Sequence, residues 1–374
     1  MITLASSRTM IRRILLSASI YLATIAALAQ QPIDWPALIQ KSHAATAVQD
    51  IGLQPLLERD GKPITTKEGW KLKRAVIEQA WRERLGPMPV RPESLESRVE
   101  HSEQGDGFER RLVSFASAGG DRIQAYLLIP SDLKEAEKRP AVVASHQTTS
   151  ETLKEPAGLG KNPTLALGIH LVKRGYIVLC PECYIMKGGG PRKQAAAVAK
   201  TWPGLTGLGK MTFDASRAID FLESQPSVDS ARIGCIGHSL GAKEVLYAVA
   251  FEPRYEVGVF NEGGIGLRMS NWTDPWYLTA EMKEQIPAME NHQVLALCAP
   301  RPMLILGGDS ADGDASWPLV QAALDVYRLL GADDRIGLVN HHGKHSFPRA
   351  ARETAYRWLD YWLRHTPTTD EAGP

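Results

Sequence analysis

Between a strand-like run, Arg232-Ile233-Gly234-Cys235-Ile236, and a helix-like run that begins near Ala242 stands the pentapeptide Gly237-His238-Ser239-Leu240-Gly241. A chain that passes from strand to helix within so few residues needs small neighbours on both sides of the serine, because the turn is tight and strained. A G-x-S-x-G elbow of this kind holds the hydroxyl clear at the end of a sheet, so Ser239 is the candidate nucleophile. The flanks agree in order: Met211 to Leu222 has helical spacing, and Asp229-Ser230-Ala231 turns into the strand.

The rest of the chain repeats that alternation. Two β-rich runs, Arg111 to Ser117 and Arg122 to Ile129, flank the hairpin-type turn Gly119-Gly120-Asp121. Short apolar strands are then expected near Ala141 to Ser145, Tyr176 to Cys180, Arg232 to Ile236, Val257 to Phe260, Met303 to Leu306 and Ile336 to Val339, with helices between most of them. Almost wholly apolar strands separated by amphipathic helices predict an α/β fold with a mostly parallel central sheet covered by helices on both faces. Ligands of such a sheet sit beyond the C-terminal ends of its strands. Before it, Gln31 to about Val99 reads as an N-terminal helical extension, with helical spacing at Lys67 to Ile77, and a linker marked by Pro87, Pro89 and Pro92.

Residues Arg8, Arg12 and Arg13 precede an apolar stretch from Ile14 to Leu28, with Ala27-Leu28-Ala29 before Gln30. That stretch is short of the roughly twenty residues that span a bilayer and has the form of a cleavable signal peptide. The expected division is a signal peptide at 1–29, the helical extension and linker at 30–104, a catalytic domain at 105–366 and a flexible tail at 367–374. The expected location is secreted or periplasmic, without stable membrane association after cleavage. Losing three arginines and no acid takes the formal charge from +1 to −2. Near-neutrality gives no electrostatic case for nucleic acid or anionic lipid as a partner. Of the 374 residues 44% are hydrophobic, enough for one large core, and only 4 are cysteines, too few for a disulfide scaffold. Cys180-Pro181-Glu182-Cys183 has redox or zinc spacing, but no second ligand pair accompanies it, so Cys180, Cys183, Cys235 and Cys298 are expected to be buried or singly bridged.

A serine hydroxyl needs an imidazole to take its proton and a carboxylate to orient that imidazole. His341, His342 and His345 follow the last expected strand, in the order along the chain that an elbow serine requires. His345 is chosen, immediately before the final helix Arg349 to Arg364, with His342 as the fallback. For the acid, the loop Gly307-Gly308-Asp309-Ser310-Ala311-Asp312-Gly313-Asp314 offers three aspartates, of which Asp312 is best spaced and Asp314 suits a helix start. Glu262, directly after the preceding strand, is the other candidate. Oxyanion donors are expected from the Leu240 amide and from the loop Ser145-His146-Gln147-Thr148-Thr149, through Gln147 or Thr148, with His146 shaping the loop.

Together these residues resemble the α/β-hydrolase superfamily over roughly residues 105 to 366, and within it secreted carbohydrate esterases and dienelactone-hydrolase-like enzymes. The His146-Gln147-Thr148-Thr149 loop and Ala299-Pro300-Arg301-Pro302 resemble acetyl xylan esterases. Similarity to the glucuronoyl esterases rests on a glutamate 23 positions after the serine (Glu262), a lysine four after it (Lys243), and His345-Ser346-Phe347-Pro348. In that family an arginine directly follows the serine and helps hold the oxyanion; here Leu240 stands there, with no side-chain donor. The resemblance implies sugar contacts for Lys243, and aromatic faces at Trp272 and Trp276 suit sugar rings as well as they suit packing.

The sequence therefore predicts a serine carboxylic-ester hydrolase with no metal or other cofactor, acting on an acetylated or uronate-esterified plant polysaccharide or a related small ester. The alternatives are a dienelactone-hydrolase-like small-ester enzyme, a prolyl-oligopeptidase-type peptidase, for which the N-terminal segment is too short to build a gating domain, and a non-catalytic carbohydrate-binding protein on the same scaffold.

Overall fold

The central strands β6 (Arg139–Ser145), β9 (Val257–Asn261) and β10 (Met303–Gly307) are buried along their whole length, as continuous apolar runs must be when helices cover both faces of a sheet. This computed structural model describes residues 33–40 and 51–367. The expected signal peptide lies outside the described residues, as do residues 368–374 of the expected tail.

A nine-stranded sheet runs in the order β11 (Ile336–Asn340), β10, β9, β8 (Val228–His238), β6, β7 (Ile177–Pro181), β5 (Arg122–Pro130), β4 (Phe108–Ala116), β3 (Arg98–Gly105). From β11 to β7 the strands are parallel; β5, β4 and β3 add on antiparallel. The pleat sends alternate side chains to opposite cores: Ala141 and Val143 join one hydrophobic cluster, Val142 and Ala144 the other. The first face is covered by α5 (Gly207–Glu223), α6 (Leu240–Phe251), α7 (Asn291–Cys298) and α8 (Trp317–Leu330), the second by α3 (Leu167–Lys173) and α9 (Arg349–Trp362).

Upstream of the sheet the described residues form two helices and a short hairpin. The short helix α1 (Trp35–Ile39) lies on the β11 edge, where the Gln40 side-chain amide donates to Ile336 O at 2.7 Å. A two-residue hairpin, β1 (Glu58–Arg59) with β2 (Lys62–Pro63), leads into α2 (Lys67–Leu85). That helix starts where the Thr66 hydroxyl accepts from Gly69 N–H, and ends at Gly86 with φ 91°. Its Trp70, Ile77, Trp81 and Leu85 are buried in the first core. The strand β3 begins at Arg98, so the sheet takes in residues that the sequence assigns to the linker; its alternation is hidden because nearly every side chain of this edge strand is exposed.

Candidate active site

The elbow closes as tightly as its glycines allow. Ser239 sits at φ 57°, ψ −113°, a conformation costly for any residue with a side chain, and its N–H donates to Asn261 O at 2.9 Å. A Cβ on Gly237 would stand 2.2 Å from Gly241 C, and one on Gly241 would stand 2.5 Å from Ser145 O, so neither position admits even alanine without movement. The half-buried serine caps the N-terminus of α6, and Leu240 is that helix's first residue.

His345 comes from the loop between β11 and α9. Its Nε2 is 3.0 Å from Ser239 Oγ, and its Nδ1 is 3.2 Å from Glu262 Oε2. The ring is 41% exposed while the Glu262 side chain is fully buried, so the pair presents an accessible imidazole on a fixed carboxylate. Glu262 follows β9 at φ 55°, and its own N–H donates to Leu306 O at 3.0 Å. Its carboxylate accepts the N–H of Gly308 and, at 2.7 Å, the N–H of Ala311. Burial pushes this acid up, but the hydrogen bonds from His345, Ala311 and Gly308 and the His345 charge outweigh it and hold Glu262 below the ordinary glutamate value.

The aspartates that compete for this position in sequence point elsewhere. Asp312, the candidate for the orienting acid in the loop after β10, does not take that place: it is buried with its carboxylate turned to the Gly264 and Ile265 amides at 2.6 and 2.7 Å and to the Ser316 hydroxyl at 2.9 Å. Burial pushes it up to about 6, against those three hydrogen bonds. It braces the segment after Glu262 and makes no hydrogen bond to His345. Asp309 holds the exposed His342, the fallback base, at 2.6 Å, and Asp314 lies 3.2 Å from Asn340 Nδ2.

Two neighbours of this arrangement escape sequence reasoning. Asn261, fully buried, reaches His238 Nδ1 with its amide nitrogen at 2.6 Å and Ser346 O at 3.1 Å. The His238 ring, second residue of the elbow, lies between those of His345 (centroids 4.8 Å) and Phe347 (6.3 Å). Burial, followed by the His345 charge, drops His238 to about 3, so it is neutral at physiological pH. The only sequence signal for Asn261 is its place at the end of β9, beside Glu262.

Several other expectations change. The Gln147 N–H, expected to serve the oxyanion, is directed at the buried Glu155 carboxylate at 3.4 Å, to which the Gln147 side chain also donates at 2.8 Å; it is committed to holding the loop. His146 shapes that loop, accepting from Cys183 N–H at 3.0 Å. Lys243, for which the resemblance implies sugar contacts, is turned inward. It is buried, its ammonium donating to Ser270 Oγ at 2.8 Å and Asn271 Oδ1 at 2.6 Å, over the rings of Trp272 and Tyr277 at 4.9 and 4.5 Å. Burial brings it down to about 7, against Asp274 and Asp312. Trp272, a candidate sugar platform, is fully buried with its indole N–H on Gly264 O at 2.6 Å; it packs the insertion after Glu262 and offers no face to a ligand. Trp276 is half-buried, with the Arg192 guanidinium 5.7 Å above its ring. All four cysteines are buried free thiols. Among the described residues no group of three or more His, Cys, Asp or Glu is arranged to hold a metal ion.

A model of the dienelactone hydrolase family matches residues 123–260. The chain resembles the dienelactone hydrolases. Among curated relatives, carbohydrate esterase MZ0003 of an unknown prokaryotic organism is 29% identical over 140 residues, 32% of this chain and 32% of that protein. The 4-O-methyl-glucuronoyl methylesterase of Hypocrea jecorina is 24% identical over 324 residues, 77% of this chain and 65% of the relative. The chain thus spans less than two thirds of the length of either. A glucuronoyl esterase from Solibacter usitatus superposes with a TM-score of 0.66 at 20% identity, covering 84% of this chain and 98% of that one. The fold is that of the α/β-hydrolases, and the relatives and solved structures that the chain is similar to carry the names of esterases.

Proposed function

We propose that this protein is an exported serine esterase that cleaves a carboxylic ester carried by a polysaccharide, with Ser239 as nucleophile, His345 as general base and Glu262 as the orienting acid. The observation that carries the reading is the hydrogen-bonded relay from Ser239 Oγ to His345 Nε2 and from His345 Nδ1 to Glu262, at 3.0 and 3.2 Å. In this reading His345 takes the hydroxyl proton as Oγ attacks the acyl carbon and gives it to the departing alcohol; water then repeats the cycle on the acyl-enzyme. Glu262, ionised and held by two backbone amides, keeps Nδ1 protonated and so leaves Nε2 free to accept. The developing oxyanion is assigned to the Leu240 N–H at the α6 N-terminus and, because the Gln147 amide is committed to Glu155, to Thr148 in the same loop.

The carbohydrate part of the proposal draws on the names of the relatives, which include a carbohydrate esterase and glucuronoyl esterases. An acetylated sugar is the second reading, favoured by Leu240: its buried side chain supplies no donor beyond the backbone. Lys243, tied to Ser270 and Asn271, is assigned to holding the insertion beside the site. Export is proposed from residues 1–29; among the described residues no helix is long and apolar enough to cross a membrane.

The test is hydrolysis of 4-nitrophenyl acetate, an acetylated xylan and a glucuronate ester by the mature chain and by Ser239→Ala. Turnover of at least one substrate that is lost in the variant supports the reading, and the preferred substrate separates the acetyl from the uronate form. Equal turnover in both proteins places the nucleophile elsewhere.

A further inference from the structure

A cleft with about 220 Å³ of free volume opens between the 119–121 turn and α4 (Gly190–Thr201), lined among others by Gly119, Asp121, Lys187, Gln194, Trp202 and Lys210. A single water needs roughly 10–15 Å³ of such space, so the cleft admits a group larger than water.

Its position follows from the sheet. Strand β5 runs antiparallel to β7 with Ala125 opposite Pro181, so the turn that opens β5 lies past the C-terminal end of β7. Ser239 lies past the same end of β8, and β8, β6 and β7 are consecutive neighbours. With strands about 4.8 Å apart and three intervals from β8 to β5, that turn lies roughly 14 Å to the side of the serine, beyond the same end of the parallel strands.

Its chemistry is neutral overall. Lys187 pairs with Asp121 at 2.8 Å, and Lys210 pairs with Asp214 at 2.6 Å and Asp121 at 3.0 Å, so no surplus charge is available to select an ion. Polar capacity nevertheless remains. The Lys187 ammonium has three hydrogens and gives two, to Asp121 and to Arg122 O. The Gln194 amide nitrogen is spent on Gly188 O at 2.7 Å, while among the described residues its oxygen receives no donor. The half-buried Trp202 adds an aromatic wall, fixed by the Gly119 backbone, where a Cβ would come within 3.0 Å of the indole. An aromatic surface beside a few spare donors and acceptors, without net charge, is the recognition chemistry of an uncharged pyranose.

We propose that this cleft binds a neutral sugar ring of the polysaccharide that carries the ester, a few residues along the chain from the ester at Ser239. The inference rests on the carbohydrate reading of the substrate given above, and it predicts that the protein holds unesterified sugar chains.

The test is calorimetric titration of the full mature chain carrying Ser239→Ala with xylohexaose and with cellohexaose, so that binding is read without turnover. The same titrations are made with Ala197→Trp or Trp202→Ala added. Ala197 is exposed on α4 at the cleft wall, so its replacement blocks the space without touching the core; matching melting curves establish that the fold is kept. Binding of either oligosaccharide that weakens about tenfold or more in both variants supports the proposal. No binding to the Ser239→Ala chain, or binding equally tight in the blocked variants, overturns it. Failure of ester hydrolysis in the wild-type chain would instead strike the proposed activity and leave these titrations readable by themselves.

Discussion

Asn261 and His345 never touch, yet the first sets the platform on which the second stands. The Asn261 amide joins His238 Nδ1 to the carbonyl of Ser346, the residue after His345, while the Asn261 carbonyl accepts the Ser239 N–H. One buried side chain thereby connects the elbow, the end of β9 and the histidine loop. Neutral His238 packs against the His345 ring, the two rings tilted 43° to one another.

Removing this connection should loosen His345 without unmaking its bond to Glu262. Asn261→Ala is expected to lower kcat by about ten- to a hundredfold, the range in which a displacement near 1 Å acts, while KM changes little. Steady-state kinetics on one small ester measure both constants. A kcat equal to that of the wild type would mean that Glu262 alone orients the imidazole.

The two carboxylates should separate by what their loss does to turnover. Glu262→Gln removes the acceptor that fixes the His345 tautomer and is expected to cost about 10⁴-fold in kcat; because the same buried carboxylate also accepts from Gly308 and Ala311, the variant should lose about 1–3 kcal/mol of stability as well. Asp312→Asn exchanges an acceptor of three hydrogen bonds for a group with one oxygen, leaving a buried partner unmet at about 1–3 kcal/mol of stability, and should change kcat less than tenfold. Kinetics and chemical denaturation of both variants decide it; the reverse pattern would return Asp312 to the role of orienting acid.

The contrast between these acids shows where sequence reading ran out. The elements and the elbow were legible because their signals are local: a continuous apolar run can only be a covered strand, and Gly237 and Gly241 have atoms where a Cβ would go. His345 could be chosen by its place before the last helix. Choosing between Glu262 and Asp312 required knowing which way each carboxylate turns, and that depends on contacts between chain segments. Glu262 swings toward β10 at a positive φ, whereas Asp312 is drawn back by the Gly264 and Ile265 amides. Trp272 was ambiguous for the same reason, since an indole that stacks on sugar and one that packs under a lysine have the same sequence. The edge strand β3 was missed because an exposed strand carries no hydrophobic alternation.

Steric closure of the elbow gives a prediction that needs no substrate. Gly241→Ala drives a methyl group against Ser145 O and is expected to destabilise the fold by about 1–3 kcal/mol or more. Gly188→Ala, where a Cβ meets nothing within 4 Å, serves as the control and should melt with the wild type. Thermal denaturation of the pair tests it, and equal melting temperatures would mean that the elbow yields where its contacts say it is rigid.

The adjacent residues Lys243 and Glu244 give stability an unusual pH dependence. Burial lowers Lys243 from 10.5 to about 7. It raises Glu244 from 4.5 to about 7, against hydrogen bonds to Cys183 and Ser145. The signs are opposite. Between pH 4.5 and about 7 the folded state holds the Glu244 proton more tightly than the unfolded chain does, so this residue's contribution declines as pH rises. Between about 7 and 10.5 the unfolded chain holds the Lys243 proton more tightly, so stability from this residue increases as pH rises. Together they place a local minimum near neutrality, on top of whatever the remaining groups contribute. Glu244→Gln should remove the decline on the acid side and Lys243→Met the rise on the alkaline side, each leaving the other limb in place. Urea denaturation of wild type and both variants across pH 5 to 10 measures the slopes. Parallel curves for all three would mean that neither residue changes its proton affinity on folding.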